Sequence, residues 1–203
     1  MTVTPRPWVW LSLLLCAAAP VAGHEDETPH QLVMTTFTVE GDSLRVVLWV
    51  ERPTPVVAKV FRERFVEDRR AASAQDDAFR QEQWATLAAG LDVLVDDEAL
   101  GVDLAPLDLP TNGRGNDVRF VYGLGATLSI DGRDRLTVEY DNQALLGEPH
   151  VFLSVYAETD DAWRVIENSN DGVKGAKGPG PSSGATWSHD ARLRQGRIVF
   201  ARD

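Results

Sequence analysis

Residues Arg135–Glu158 read RLTVEYDNQALLGEPHVFLSVYAE, and their periodicity decides the fold class. Leu136, Val138 and Tyr140 alternate with Thr137 and Glu139, and Val151, Leu153 and Val155 alternate with Phe152, Ser154 and Tyr156. A period of two describes half-buried β-strands, with one face on a core and the other wet or against a second layer. Asn142 to Pro149 is too long and mixed for a tight hairpin, so it reads as a loop crossing between strands. His150 stands at the mouth of the second strand.

The same pattern recurs on either side. Leu32 to Glu40 and Leu44 to Glu51 are β-rich runs joined by Gly41-Asp42, a turn pair that makes them a hairpin. Leu44, Val46, Leu48 and Val50 share one face of the second run. Leu91 to Val95, Ala99 to Leu104, Val118 to Leu124, Ala126 to Ile130, Trp163 to Glu167 and Arg197 to Ala201 are further short strands. Val138, Val155, Leu48 and Phe120 are the expected core.

Between the hairpin and Leu91 the period changes. Thr54-Pro55 caps a helix with Val57, Phe61 and Phe65 at every fourth position. A second helix starts at Ser73, with Asp76 three residues on, carries Phe79, Trp84 and Leu87, and stops at Gly90. The expected fold is therefore mainly β: a single antiparallel, Ig-like β-sandwich over residues 24–203. It carries a small two-helix insertion at about 54–90 and a flexible Gly/Ser/Pro-rich loop at 169–184.

Residues 1–23 lie outside that domain. Arg6 precedes an apolar run from Trp8 to Pro20, and Val21-Ala22-Gly23 ends it with small residues, the pattern of a secretory signal cleaved before His24. A membrane anchor is the competing reading, but the run falls short of the ~20 apolar residues a span needs. The expected destination is the periplasm or the medium. Cleavage removes Cys16, the only cysteine. It leaves 180 residues with 19 basic and 31 acidic side chains, a net charge of −12 with neutral histidines. Such a chain repels nucleic acid and anionic lipid and favours cations or basic partners. No run after residue 23 is long and apolar enough to span a membrane.

Histidine carries the chemical signal. Cleavage makes His24 the first residue, with an α-amine and an imidazole that close a chelate ring on one divalent transition ion (Cu, Ni, Co or Zn). His150 and His30 are the further candidate ligands, with Glu25, Asp26 or Glu27 as oxygen donors nearby; without an ion, all are ordinary surface residues. His189, in Thr186-Trp187-Ser188-His189-Asp190, is isolated and takes no role. Enzyme chemistry is poorly supported, because the chain offers no Gly-x-Ser-x-Gly elbow between a strand and a helix, no HExxH and no mature cysteine. Asp76-Asp77, Asp96-Asp97-Glu98 and Asp160-Asp161 fall at helix starts and turns, ordinary places for carboxylates. Trp163 and Trp187 are weak candidates for a sugar-stacking platform, with burial the better reading. No catalytic residue and no organic cofactor site is assigned.

The order of parts carries a resemblance. A histidine after the signal, a hairpin with LRVVLWV, the helical FRERF and WATLAAGLDVLVDDEAL, and then RLTVEYDN follow one another. This resembles the extracytoplasmic N-terminal region of HupE/UreJ-like and nickel/cobalt-permease-like proteins. Leu91, Val93, Val95, Asp96 and Asp97 match one strand motif of that region, and Leu136, Thr137, Tyr140, Asp141 and Asn142 the other. The resemblance implies an exported sandwich associated with transition-metal handling, with an ion or an envelope protein as partner. It does not carry transport over. A second likeness is to copper proteins whose mature chain begins with a chelating histidine, although a second-histidine motif of that type is missing. Three functions follow: a non-catalytic binding or accessory domain, a mononuclear copper carrier or oxidative enzyme, and a structural sandwich without metal.

Overall fold

The computed structural model describes residues 30–53, 56–57, 72–99, 104–106, 119–173 and 188–203. The chain forms β1 (Gln31–Glu40), β2 (Ser43–Pro53), helix α1 (Ala72–Ala88), β3 (Leu91–Val95), β4 (Glu98–Ala99) and β5 (Ala105–Pro106). β6 (Arg119–Ser129), β7 (Arg135–Asn142), β8 (Val151–Thr159), β9 (Trp163–Asn168), a 3-10 turn (Ala191–Arg194) and β10 (Gln195–Arg202) complete it. One sheet has the order β5-β6-β2-β1-β8 and the other β4-β3-β7-β10-β9.

The two sheets share one core. Val33, Phe37, Val39, Leu44, Val46, Leu48 and Val50 of the first meet Leu91, Val93, Leu136, Val138, Ile198 and Phe200 of the second. The four alternating residues of β2 are fully buried, each worth roughly 1.5–3 kcal/mol relative to exposure. The rings of Phe37 and Tyr140 meet across the gap at 5.2 Å. Asn142 Nδ2 donates to Thr35 Oγ1 at 2.8 Å, a buried polar tie between the sheets. The chain leaves β7 of one sheet and enters β8 of the other, so the loop after Asn142 crosses between sheets, not merely between neighbouring strands.

Several sequence expectations change. Antiparallel pairing holds at every ladder except β1 with β8, which run parallel from Gln31↔Val151 to Val39↔Thr159. The crossover loop causes this: it delivers β8 to the far sheet with the same direction as β1. The expected strands at 118–124 and 126–130 are one continuous β6, held by an unbroken ladder to β2 from Ser43↔Ser129 to Pro53↔Arg119. β8 is buried on both faces, since Ser154 and Tyr156 are as covered as Val155. Val138, Val155 and Leu48 are buried as expected, whereas Phe120, near the start of β6, is only half-buried.

Of the two expected helices, α1 begins within a residue of Ser73. The first lies outside the described residues apart from Val56 and Val57, which are helical. The buried stripe of α1 is Phe79, Gln83 and Leu87, with Trp84 half-buried beside it. Gln83 takes the central place because a buried arginine beneath it needs an acceptor. The loop expected at 169–184 is described only to Val173, where it is a series of turns.

In the second sheet Gly196 is the residue that packing requires. A Cβ there would stand 2.6 Å from Asn170 Nδ2 and 2.7 Å from the Tyr140 ring. Those two side chains are joined under β10 by a 2.6 Å hydrogen bond from Asn170 to the Tyr140 hydroxyl. Burial pushes the Tyr140 phenol well above its ordinary range, because the phenolate would lose its hydration.

Two outcomes test this architecture. Val155→Asp should cost several kcal/mol, because a charge enters a dry sheet face; an unchanged denaturation midpoint would mean that the face is not buried. Because folding raises the Tyr140 pKa, its contribution to stability is complete below the phenol's ordinary value and is lost as pH rises above it. A denaturation series run upward from pH 9 should therefore show an alkaline decline that Tyr140→Phe flattens.

Candidate metal centre

Three histidines converge at the end of the first sheet where β1 and β8 both begin. His30 immediately precedes β1 and His150 immediately precedes β8. Since Gln31 pairs with Val151 in parallel register, the two histidines occupy the next rung outward. The Gln31 amide donates to the His150 carbonyl at 3.0 Å, closing that rung. Their ring centroids lie 6.1 Å apart, and both side chains are exposed.

His150 adopts a left-handed backbone, with φ +56°. A non-glycine residue pays for that conformation unless its surroundings hold it. The holding group is buried beneath it. Arg52, 3% exposed at the end of β2, donates through Nε to Gln31 Oε1 at 2.9 Å and through Nη1 to Gln83 Oε1 at 2.8 Å. Its Nη2 meets both oxygens of Glu148 at 2.9 and 2.7 Å. Gln31 closes the ring, its Nε2 donating to Glu148 Oε2 at 2.9 Å and to the Pro149 carbonyl at 3.3 Å. Gln31, next to His30, and Glu148, two residues before His150, are thus both bound to one buried guanidinium. Beside the network, a cleft of about 320 Å³ opens between α1 and the crossover loop, lined by Gln83, Thr86, Gln143 and Glu148 among others.

His189 arrives from the other side. Ser188 and Leu153 exchange backbone hydrogen bonds of 2.7 and 3.1 Å, which brings the following residue against the start of β8. Its Nδ1 lies 2.9 Å from the Val151 carbonyl oxygen. Its ring stacks at 3.7 Å on Phe152, whose ring also meets His30 edge-on at 4.6 Å. The His30 and His189 centroids are 6.5 Å apart.

Of the expected ligands, His30 and His150 are therefore neighbours, and His24, with Glu25, Asp26 and Glu27, lies outside the described residues. His189, read from the sequence as isolated, belongs to the group. No spacing rule reveals a single bridge between residues 153 and 188; the available signal was only that His30 and His150 border β-runs. As they stand, no three His, Cys, Asp or Glu side chains among the described residues are set to hold an ion. Two imidazoles on one tetrahedral ion, with bonds of ~2.0–2.1 Å, keep their centroids about 5 Å apart. The observed gaps are about 1 Å wider than that estimate, a distance that rotation of the exposed His30 side chain covers.

The other sequence candidates have structural work. Asp96 accepts from the Thr137 amide at 2.8 Å and pairs with Arg133, in a turn where Asp96 and Asp97 both have positive φ. Asp160 accepts from the Gly41 and Ala162 amides. Trp163 is buried, donates to the Gly41 carbonyl and lies under the Arg202 guanidinium, so it offers no sugar platform. Trp187 lies outside the described residues. Among the described residues no helix is long and apolar enough to cross a membrane.

Glu148→Ala should cost roughly 3–5 kcal/mol, since it leaves the buried Arg52 charge without its counter-ion. Urea denaturation measures this, and a loss under 1 kcal/mol would show that Gln31 and Gln83 suffice.

No protein-family model matches the chain, and no curated protein matches it.

Proposed function

We propose that the protein is an exported, non-catalytic binding domain for one divalent transition ion, with His30 and His150 among its ligands. The observation that carries this reading is the parallel β1–β8 register, which sets the two imidazoles on adjoining strands over a buried arginine network. The left-handed turn at His150 and the network bound to Gln31 and Glu148 fix the backbone from which both imidazoles project. Imidazole suits Cu(II), Ni(II), Co(II) and Zn(II), and poorly suits Ca(II) or Mg(II).

Export rests on the signal pattern of residues 1–23. In the mature chain the His24 amine and imidazole are additional ligands, and the six residues to His30 span up to ~20 Å when extended. Within this proposal the two sheets form an Ig-like sandwich. The chain is then a counterpart of the metal-linked extracytoplasmic regions it resembles, delivering or sensing an ion for an envelope partner.

Isothermal titration of protein processed to His24 tests the reading. Zn(II) and Ni(II) should bind at one site, and His30→Ala and His150→Ala should each weaken binding about tenfold or more, an effect of about 1.4 kcal/mol or greater. An extra residue ahead of His24 should weaken it as well. Lowering the pH should release the ion, because protons compete for the imidazoles. No binding by the processed protein would sink the reading, as would full binding by His30→Ala and His150→Ala.

A further inference from the structure

The geometry points to His189 as a further ligand of this site, binding through Nε2 and joining the imidazoles of His30 and His150. This rests on the reading of His30 and His150 as ligands and adds a residue to it. A carbonyl oxygen only accepts, so the 2.9 Å contact with Val151 requires that Nδ1 of His189 carry the proton. In the neutral ring, the form that binds metals, Nε2 is then the nitrogen that carries the lone pair. Imidazoles that bind metals are commonly fixed in this way, with the second ring nitrogen donating to a carbonyl so that tautomer and orientation are set beforehand.

Three further constraints hold the ring. Ser188 is bridged to Leu153 on the preceding side. On the following side Asp190 caps the 3-10 turn, accepting from the Arg192 amide at 3.0 Å, while its own amide donates to Ser188 Oγ at 3.1 Å. Phe152 forms the floor, stacked on His189 and edge-on to His30. An exposed histidine anchored by backbone on both sides loses little freedom when it takes an ion, which raises affinity without any new contact. His189 is thus the rigid ligand, and the exposed side chains of His30 and His150 swing to close the site.

Three neutral imidazoles, with no thiolate or carboxylate in the described cluster, select borderline ions over hard ones. They leave a tetrahedral shell one ligand short, the place that the His24 amine or imidazole takes in the processed chain. The inferred ligand is therefore a Zn(II)- or Ni(II)-class ion.

The test compares His189→Ala, His30→Ala and His150→Ala in the processed protein, titrated with Zn(II) alone, with thermal midpoints confirming that each variant folds. His189→Ala should weaken binding about 10- to 100-fold, and the Nε2 nitrogen resonance of His189 should shift on adding Zn(II) while its Nδ1–H signal persists. If His189→Ala binds within about twofold of the parent protein while the other two variants lose affinity, the role of His189 is overturned and the ion site stands. If the parent protein binds no Zn(II), both readings fall. Movement of the Nδ1 resonance in place of Nε2 would also overturn the inferred geometry.

Discussion

The structure depends on one long-range pairing, the parallel ladder between β1 and β8. β1 lies between β2 on one side and β8 on the other, so it joins the N-terminal hairpin to a strand from the second half of the chain. Without that ladder the first sheet would lose its edge strand, and the crossover loop would lose the Gln31 contacts that define its end. The Arg52 network is the polar counterpart of the ladder. It sits at the same end and ties β2, α1, β1 and the crossover loop to one charge.

A buried ion pair of this kind is a weak source of net stability, because desolvation offsets much of its Coulombic gain. Its use here is positional. A guanidinium offers fixed directions in one plane, and three of its nitrogens meet acceptors on three separate elements. Apolar packing is tolerant of small shifts by comparison, so it would hold the loop without fixing the rotation of Pro149 and His150.

Much of the fold was legible in the residues. The alternation of β2 identified Leu44, Val46, Leu48 and Val50, because a strand in a two-layer structure must send every second side chain inward. Gly41-Asp42 gave the hairpin, and the change of period gave α1. What escaped was non-local. The direction of β8 relative to β1 leaves no mark on the pattern of either strand. Gln83 was passed over for Trp84 because a glutamine on a buried stripe makes sense only once Arg52 is known to lie beneath it. The proposed metal site divides in the same way. His30 and His150 were recognisable as strand-entry histidines, whereas His189 depends on the bridge between Leu153 and Ser188, a contact set by tertiary structure alone.

The β1–β8 ladder has a consequence in time. Its partners lie 120 residues apart, so closing it means ordering a loop that includes most of the chain, and such contacts form after local hairpins such as β1–β2. The first half of the chain can be complete in its local structure while His30 still has no neighbour. The proposed ion site is therefore complete only once this ladder has formed. An ion bound by His30 and His150 would bridge the ladder and resist its opening by mass action.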